Sequence, residues 1–375
     1  MTTEDNKAII RWETEDIVDF KGFRIYRAVD DSVFRPSRDF PADQYSFTDS
    51  GLVNHKWYYY RISVLGYGVE SLLSKPVKLM AGPGKIWILS RYGYNIRRLS
   101  YDLLHNNDIF YTNYPAIEWD FDKVNRFFWL AHAQFYYISR MNLNIGQEDF
   151  FYRDKFQRPI DIKTDFDSDR IFILDAKKKR IYVMIDNAVQ DSISVDHSDF
   201  FAIQPIPFSR IAAMDSSGLL IFNSTKNIVK EIEFSSEFIG QDIYYSNEML
   251  YVLSASLIQN ASEIIILNTS DLSQNSILTN GYYTLIRTGN ENQNFWMAQY
   301  LSSDSYQAVK LSSDGKRQLQ ISVSDSQIDD LQINPYDKSI VIVQRYLDKI
   351  TLYDSTGSFI SVNSQIYDPI KVNIE

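Results

Sequence analysis

The sequence predicts an all-β protein in two parts, a small β-sandwich followed by a seven-bladed β-propeller. The first observation is a short apolar strand that returns seven times after residue 85. Its copies are Ile86-Trp-Ile-Leu89, Phe127-Phe-Trp-Leu130, Ile171-Phe-Ile-Leu174, Ile211-Ala-Ala-Met214, Leu250-Tyr-Val-Leu253, Phe295-Trp-Met-Ala298 and Ile340-Val-Ile-Val343, ending 39 to 45 residues apart. That spacing is the length of one four-stranded blade. The second is composition: 26 Tyr and 23 Phe against 14 Gly and 10 Pro favour aromatic-rich strands over disorder. The third is that the first eighty residues lack the period and carry strand-like runs of their own.

Those early runs are Ala8-Ile-Ile-Arg-Trp12, Gly22-Phe-Arg-Ile-Tyr-Arg27, Tyr45-Ser-Phe47 and Trp57-Tyr-Tyr-Tyr-Arg-Ile-Ser-Val64, separated by turn-prone residues. In the last run the two-residue alternation places Tyr58, Tyr60, Ile62 and Val64 on one face as core, and leaves Trp57 and Tyr59 as candidate surface contacts. Trp12, the Gly22–Arg27 run, and Asp49 ahead of the tyrosine-rich strand and Gly68-Val-Glu-Ser71 resemble a fibronectin type III domain over residues 5–80. The resemblance implies that Tyr58 is a corner tyrosine whose hydroxyl bonds back to the chain. It also implies a spacer or docking module without catalysis. Met80-Ala-Gly-Pro-Gly84 then punctuates the chain, giving a sandwich over 1–80, a linker over 81–84 and a propeller over 85–375.

Within the propeller region another strand precedes the apolar one, as in Ala116-Ile-Glu-Trp-Asp120 and Pro159-Ile-Asp-Ile-Lys163, and two more follow it. Only the first repeat lacks its leading strand. Asp368-Pro-Ile-Lys-Val-Asn-Ile374 has no blade of its own, so the expectation is that residues 368–374 complete blade one and close the ring, which would otherwise expose two sheet edges. Seven blades is the count, with six or eight as alternatives. The repeats resemble NHL and YVTN-type propellers, most clearly in the segment from Asp167 to Val183.

The same regularity disarms several motifs. Asp165-Phe-Asp-Ser-Asp169 resembles the start of a calcium loop, but Arg170 stands where that loop needs glycine and Ala176 where it needs glutamate. It reads as a turn. Ser216-Ser-Gly218, Ser313-Asp-Gly315 and Ser355-Thr-Gly357 read as hairpin turns, and Lys177-Lys-Lys-Arg180 as a solvated connection.

Composition narrows the function classes. The net charge of −10 opposes non-specific binding to nucleic acid, and no apolar run is long enough to span a membrane. The chain has no cysteine, so thiolate chemistry and cysteine-ligated metals are excluded. The four histidines, His55, His105, His132 and His197, fall at non-equivalent positions and predict no metal centre. No Gly-x-Ser-x-Gly elbow occurs. No cofactor and no catalytic set is expected, although Glu118 and Asp161 on inner strands leave a lactonase-type hydrolase or lyase with a channel-bound divalent metal as the alternative.

Recognition is the leading reading. The second residue after each apolar strand is Arg91, His132, Ala176, Ser216, Ala255, Tyr300 and Arg345. The bulky polar ones fall in blades one, two, six and seven, which adjoin around the ring, and Tyr92 and Tyr346 follow two of them. Arg and Tyr concentrate binding energy, so Arg91, Tyr92, His132, Tyr300, Arg345 and Tyr346 are the candidate binding arc for a protein or glycan, and replacing Arg91, Tyr300 and Arg345 together by alanine is expected to abolish binding with the melting temperature nearly unchanged. A self-associating structural subunit of a cell-surface assembly is a further alternative. The start, Met-Thr-Thr-Glu-Asp-Asn-Lys, shows no signal-peptide pattern. The pairing of the two domain types resembles secreted or surface-exposed bacterial proteins, which implies a periplasmic, cell-surface or secreted location.

Overall fold

The computed structural model describes residues 2–14, 20–30, 33–165, 168–195, 199–289, 294–302, 305–324 and 326–375. Among these the regular structure is β-strand, apart from one 3₁₀ turn at Arg345–Leu347. His197 and Asp167 lie outside the described residues.

Two sheets form from the first eighty residues. One has three strands, Thr2–Glu4, Lys7–Arg11 and Ser46–Ser50; the other runs in the order Arg35–Pro41, Gly22–Val29, Trp57–Leu65, Val77–Met80. They enclose Ala8, Ile10, Phe23, Ile25, Phe40, Tyr58, Tyr60 and Leu79. The alternation in Trp57–Leu65 is realised, with Tyr58 and Tyr60 buried. The Tyr58 hydroxyl accepts the Val53 N–H at 2.8 Å, and the Tyr60 hydroxyl donates to the buried Asp49 at 2.7 Å.

Seven four-stranded antiparallel sheets follow, six of them built from consecutive strands. Their second strands are buried along nearly their whole length, as in Ile86–Ser90, Ile171–Asp175 and Ile340–Gln344. Such strands must be apolar on both faces because each sheet is covered on both sides by its neighbours. The two-residue alternation then divides one strand between two cores. Trp87 and Leu89 pack with Trp119, Phe128 and Leu130 of the next sheet, whereas Ile86 and Ile88 pack with Val341 and Val343 of the last. Each consecutive pair of sheets shares such a cluster, and the seventh shares one with the first.

The first sheet takes its inner strand from the C-terminal end. Pro369–Ile374 pairs antiparallel with Ile86–Ser90, and the backbone bonds continue between Lys85 and Glu375. Inner strand therefore neighbours inner strand all the way round, from Glu118–Asp122 to Asp330–Ile333 and on to Pro369–Ile374.

The N-terminal sheets rest on one end of this ring. The buried Asp102 accepts the Met80 N–H, Tyr101 donates its hydroxyl to Asp337 at 2.7 Å, and His55 reaches the same carboxylate at 2.8 Å. Gly82 lies where a Cβ would sit 2.3 Å from the Tyr101 ring, so only glycine lets the chain pass. Trp57, a candidate surface contact, instead packs partly buried against the cluster of Met80 and Tyr101.

Candidate functional site

In an antiparallel blade the second-to-third and fourth-to-first connections leave from the same end, here termed the upper face. The N-terminal sheets contact the loops around Asp102 and Asp337, which belong to the opposite end. The upper face is therefore not covered by them, and exposed aromatic and aliphatic side chains collect there: Tyr92, Tyr94, Tyr114, Phe135, Tyr136, Leu257, Ile258, Tyr346 and Tyr367.

Three of the six sequence candidates, Arg91, Tyr92 and Arg345, meet at one residue. Asp368, the residue just before the ring-closing strand, is buried and bonds to Arg91 Nε at 3.0 Å and the Tyr92 N–H at 3.2 Å. Arg345 Nε lies 3.7 Å from its other oxygen, and the Asp368 N–H donates to Asp348 at 2.7 Å. Each arginine lies over the tyrosine that follows it, Arg91 4.2 Å from Tyr92 and Arg345 4.3 Å from Tyr346. The arginines are only 20% and 19% exposed and face Asp368, so their burial argues for a cost in stability on removal. What they present to solvent is Tyr92 at 39% and Tyr346 at 69% exposure.

His132 does not belong to the surface. It is fully buried, stacked 4.2 Å from the Tyr137 ring, with Nδ1 3.0 Å from the Pro115 carbonyl and Nε2 2.8 Å from Ser139 Oγ, which is 2.6 Å from Glu148. Burial pushes its pKa down to about 4. The second strand of its sheet extends one pair further than that of the first sheet, His132 against Tyr137, so the residue is in the ladder and not in the loop.

Tyr300 enters a cleft of about 370 Å³ with Tyr282, Tyr306, Leu257, Leu285, Ile328 and Asp329. The sequence reading missed Tyr282 and Tyr306 because they come from the first and third strands of the sheet. The local signal was the density of tyrosine in repeat six.

Along the axis a polar channel of about 990 Å³ is lined by the inner strands. Glu118 pairs with Lys371 at 2.8 Å and lies 3.5 Å from Lys163, which pairs with Asp161 at 2.9 Å. Arg287 bridges Asp242 at 2.6 Å and Asp330 at 2.9 Å. Three of these carboxylates also accept backbone N–H groups of the next sheet: Asp161 from Ile203, Asp242 from Ile286 and Asp330 from Val372. The charges therefore tie blade to blade. Burial opposes ionisation of Glu118, but Lys163 and Lys371 hold its pKa below the ordinary glutamate value. Among the described residues no group of three or more His, Asp or Glu side chains converges to hold a metal ion.

No protein-family model matches the chain, and no curated protein matches its sequence. Solved structures do. A protein from Lactobacillus plantarum superposes with a TM-score of 0.64 at 12% identity, covering 78% of this chain and 99% of that one. A functionally unknown protein from Desulfotomaculum acetoxidans gives 0.62 at 13% identity over 77% and 98%. The WD40 β-propeller domain of Doa1 gives 0.53 at 9% identity over 70% and 86%. The ring of sheets is a β-propeller. At these identities the likeness carries the fold and no function. Among the described residues no helix is long and apolar enough to cross a membrane.

Proposed function

We propose that this chain is a fibronectin type III-like module joined to a seven-bladed propeller of the NHL/YVTN kind, acting outside the cytoplasm as a non-catalytic binding scaffold. Its upper face over blades one, six and seven recognises a partner, a protein in preference to a glycan. The strand order of the N-terminal sheets and the Tyr58–Val53 bond support the first assignment. In the third repeat the buried Asp175 accepts four backbone N–H groups, from Gln157, Arg158, Lys177 and Lys178, so the aspartate of the repeat pattern caps both upper connections.

One observation carries the binding reading: Tyr92 and Tyr346 stand exposed on arginine-braced turns, on the face the N-terminal sheets leave open. Rigid tyrosines supply large contact area at small entropy cost. No observation favours a channel-bound divalent ion, because Glu118, Asp161, Asp242 and Asp330 are engaged by Lys163, Lys371 and Arg287.

The test is the Tyr92→Ala/Tyr346→Ala double variant, compared with the parent on arrays of extracytoplasmic proteins and of glycans. Loss of a partner bound by the parent, at an unchanged Tm, is expected. Retention of every partner at parental affinity refutes the assignment.

A further inference from the structure

The tyrosine cleft has a chemistry of its own. Its rings are set edge to face, Tyr282 to Tyr300 at 6.1 Å and 79°, Tyr300 to Tyr306 at 5.4 Å and 66°. Their planes are steeply inclined to one another, so the three rings do not form one continuous flat platform. Leu285 and Ile328 add apolar surface, and Asp329 is the one charged residue among the described residues of the lining.

Among the described residues that carboxylate is only loosely ion-paired, by Arg345. One oxygen accepts the Arg345 N–H at 2.7 Å and the other accepts from the Gln327 amide at 2.9 Å. The Arg345 side chain is turned away over Tyr346, leaving its Nε at 3.9 Å, beyond hydrogen-bonding reach. The Asp329 side chain is 8% exposed, and burial raises its pKa above the ordinary aspartate value, the sign of a charge whose solvation is incompletely replaced.

Resting on the proposed role of the upper face and narrowing its partner, we infer that the cleft takes the side chain of a lysine or arginine presented by a partner protein. Aromatic faces attract cations. The aliphatic stem of such a side chain buries along apolar surface while its head makes a charge-assisted hydrogen bond to a carboxylate. A volume of about 370 Å³ accommodates one extended side chain. The net charge of −10 also steers a cationic segment toward the protein.

The experiment titrates the full chain with four probes, the N-acetyl amides of lysine, arginine and norleucine, and methyl glucoside, followed by saturation-transfer NMR. At least one cationic amide is expected to bind with a Kd on the order of millimolar, with the two neutral probes weaker by at least about tenfold. Asp329→Asn keeps an acceptor for the Arg345 N–H but removes the charge, and Tyr300→Leu keeps apolar bulk but removes the ring. Each is expected to weaken the cationic amide at least about tenfold, while Tyr300→Phe retains it and all three melt like the parent. Norleucine binding as well as lysine, methyl glucoside binding in place of the cations, saturation by no probe, or unaltered binding in Asp329→Asn each overturns the inference. A chain that binds the cations yet keeps its partners in Tyr92→Ala/Tyr346→Ala retains the cleft and loses the wider assignment; the reverse outcome loses the cleft alone.

Discussion

Removing residues 369–375 should open the ring. The segment buries Ile370, Val372 and Ile374, which are 7%, 2% and 8% exposed, the first in the core between sheets one and two and the others between seven and one. At about 1.5–3 kcal/mol for each buried aliphatic side chain, the apolar loss alone is about 5–9 kcal/mol. To this is added the edge of Ile86–Ser90, left without its partner, and Glu118, left without Lys371. Domains of ordinary stability have about 5–15 kcal/mol in total, so the deletion removes much or all of it. Urea unfolding and hydrogen exchange at Ile86–Ser90 measure the effect, and Ile370→Ala and Ile374→Ala, each costing about 2–5 kcal/mol, give a graded series should the truncated chain not fold. A truncated chain with the parent's urea midpoint, and with the Ile86–Ser90 amides still protected, would refute the reasoning. It would mean that the inter-sheet cores hold without closure.

Glu118→Gln leaves Lys163 and Lys371 facing each other without their shared carboxylate and should cost about 3 kcal/mol in urea unfolding at neutral pH. Because Glu118 titrates below the ordinary value of 4.5 in the folded protein, its stabilisation is complete above that pH and is lost as pH falls through the folded pKa; the variant should flatten the acid limb of Tm against pH, and a parallel limb contradicts the pairing. Gly82→Ala forces a methyl group against the Tyr101 ring and should cost about 1–3 kcal/mol at the junction, seen as faster proteolysis around residues 81–85 with the ring's unfolding unchanged; resistance equal to the parent's would contradict the close approach.

The recurrent second strands were readable because burial on both faces demands an unbroken apolar run, and that demand is local to the strand. Pro369–Ile374 was readable for a related reason, as a strand without a sheet. The binding arc was less so. One aligned position per repeat cannot distinguish Arg91, the first residue past its strand, from His132, where one additional ladder pair carries the side chain into the core. Tyr282, Tyr300 and Tyr306 become a site only when three strands of one blade lie side by side. Glu118 and Asp161 were visible as inner-strand acids, but Lys371, which pairs with Glu118, is remote in sequence, and only closure brings the two together.

Closure and the proposed recognition surface share a residue. Asp368 immediately precedes the strand that completes the first sheet; its carboxylate bonds the turn that carries Tyr92, and its N–H donates to Asp348 at the end of the turn that carries Tyr346. Arg345 in turn connects this hub to Asp329 in the tyrosine cleft through its backbone N–H. The two exposed tyrosines and the cleft are therefore held by groups whose positions depend on the last strand being paired. Preorganisation of this kind lowers the entropy lost on binding, which is how a surface with few exposed anchors gains affinity. It also means that a variant that loosens the C-terminal strand should weaken partner binding before the propeller unfolds, since the turns bonded to Asp368 are at the end of the strand, and the cores between the sheets lie beneath them.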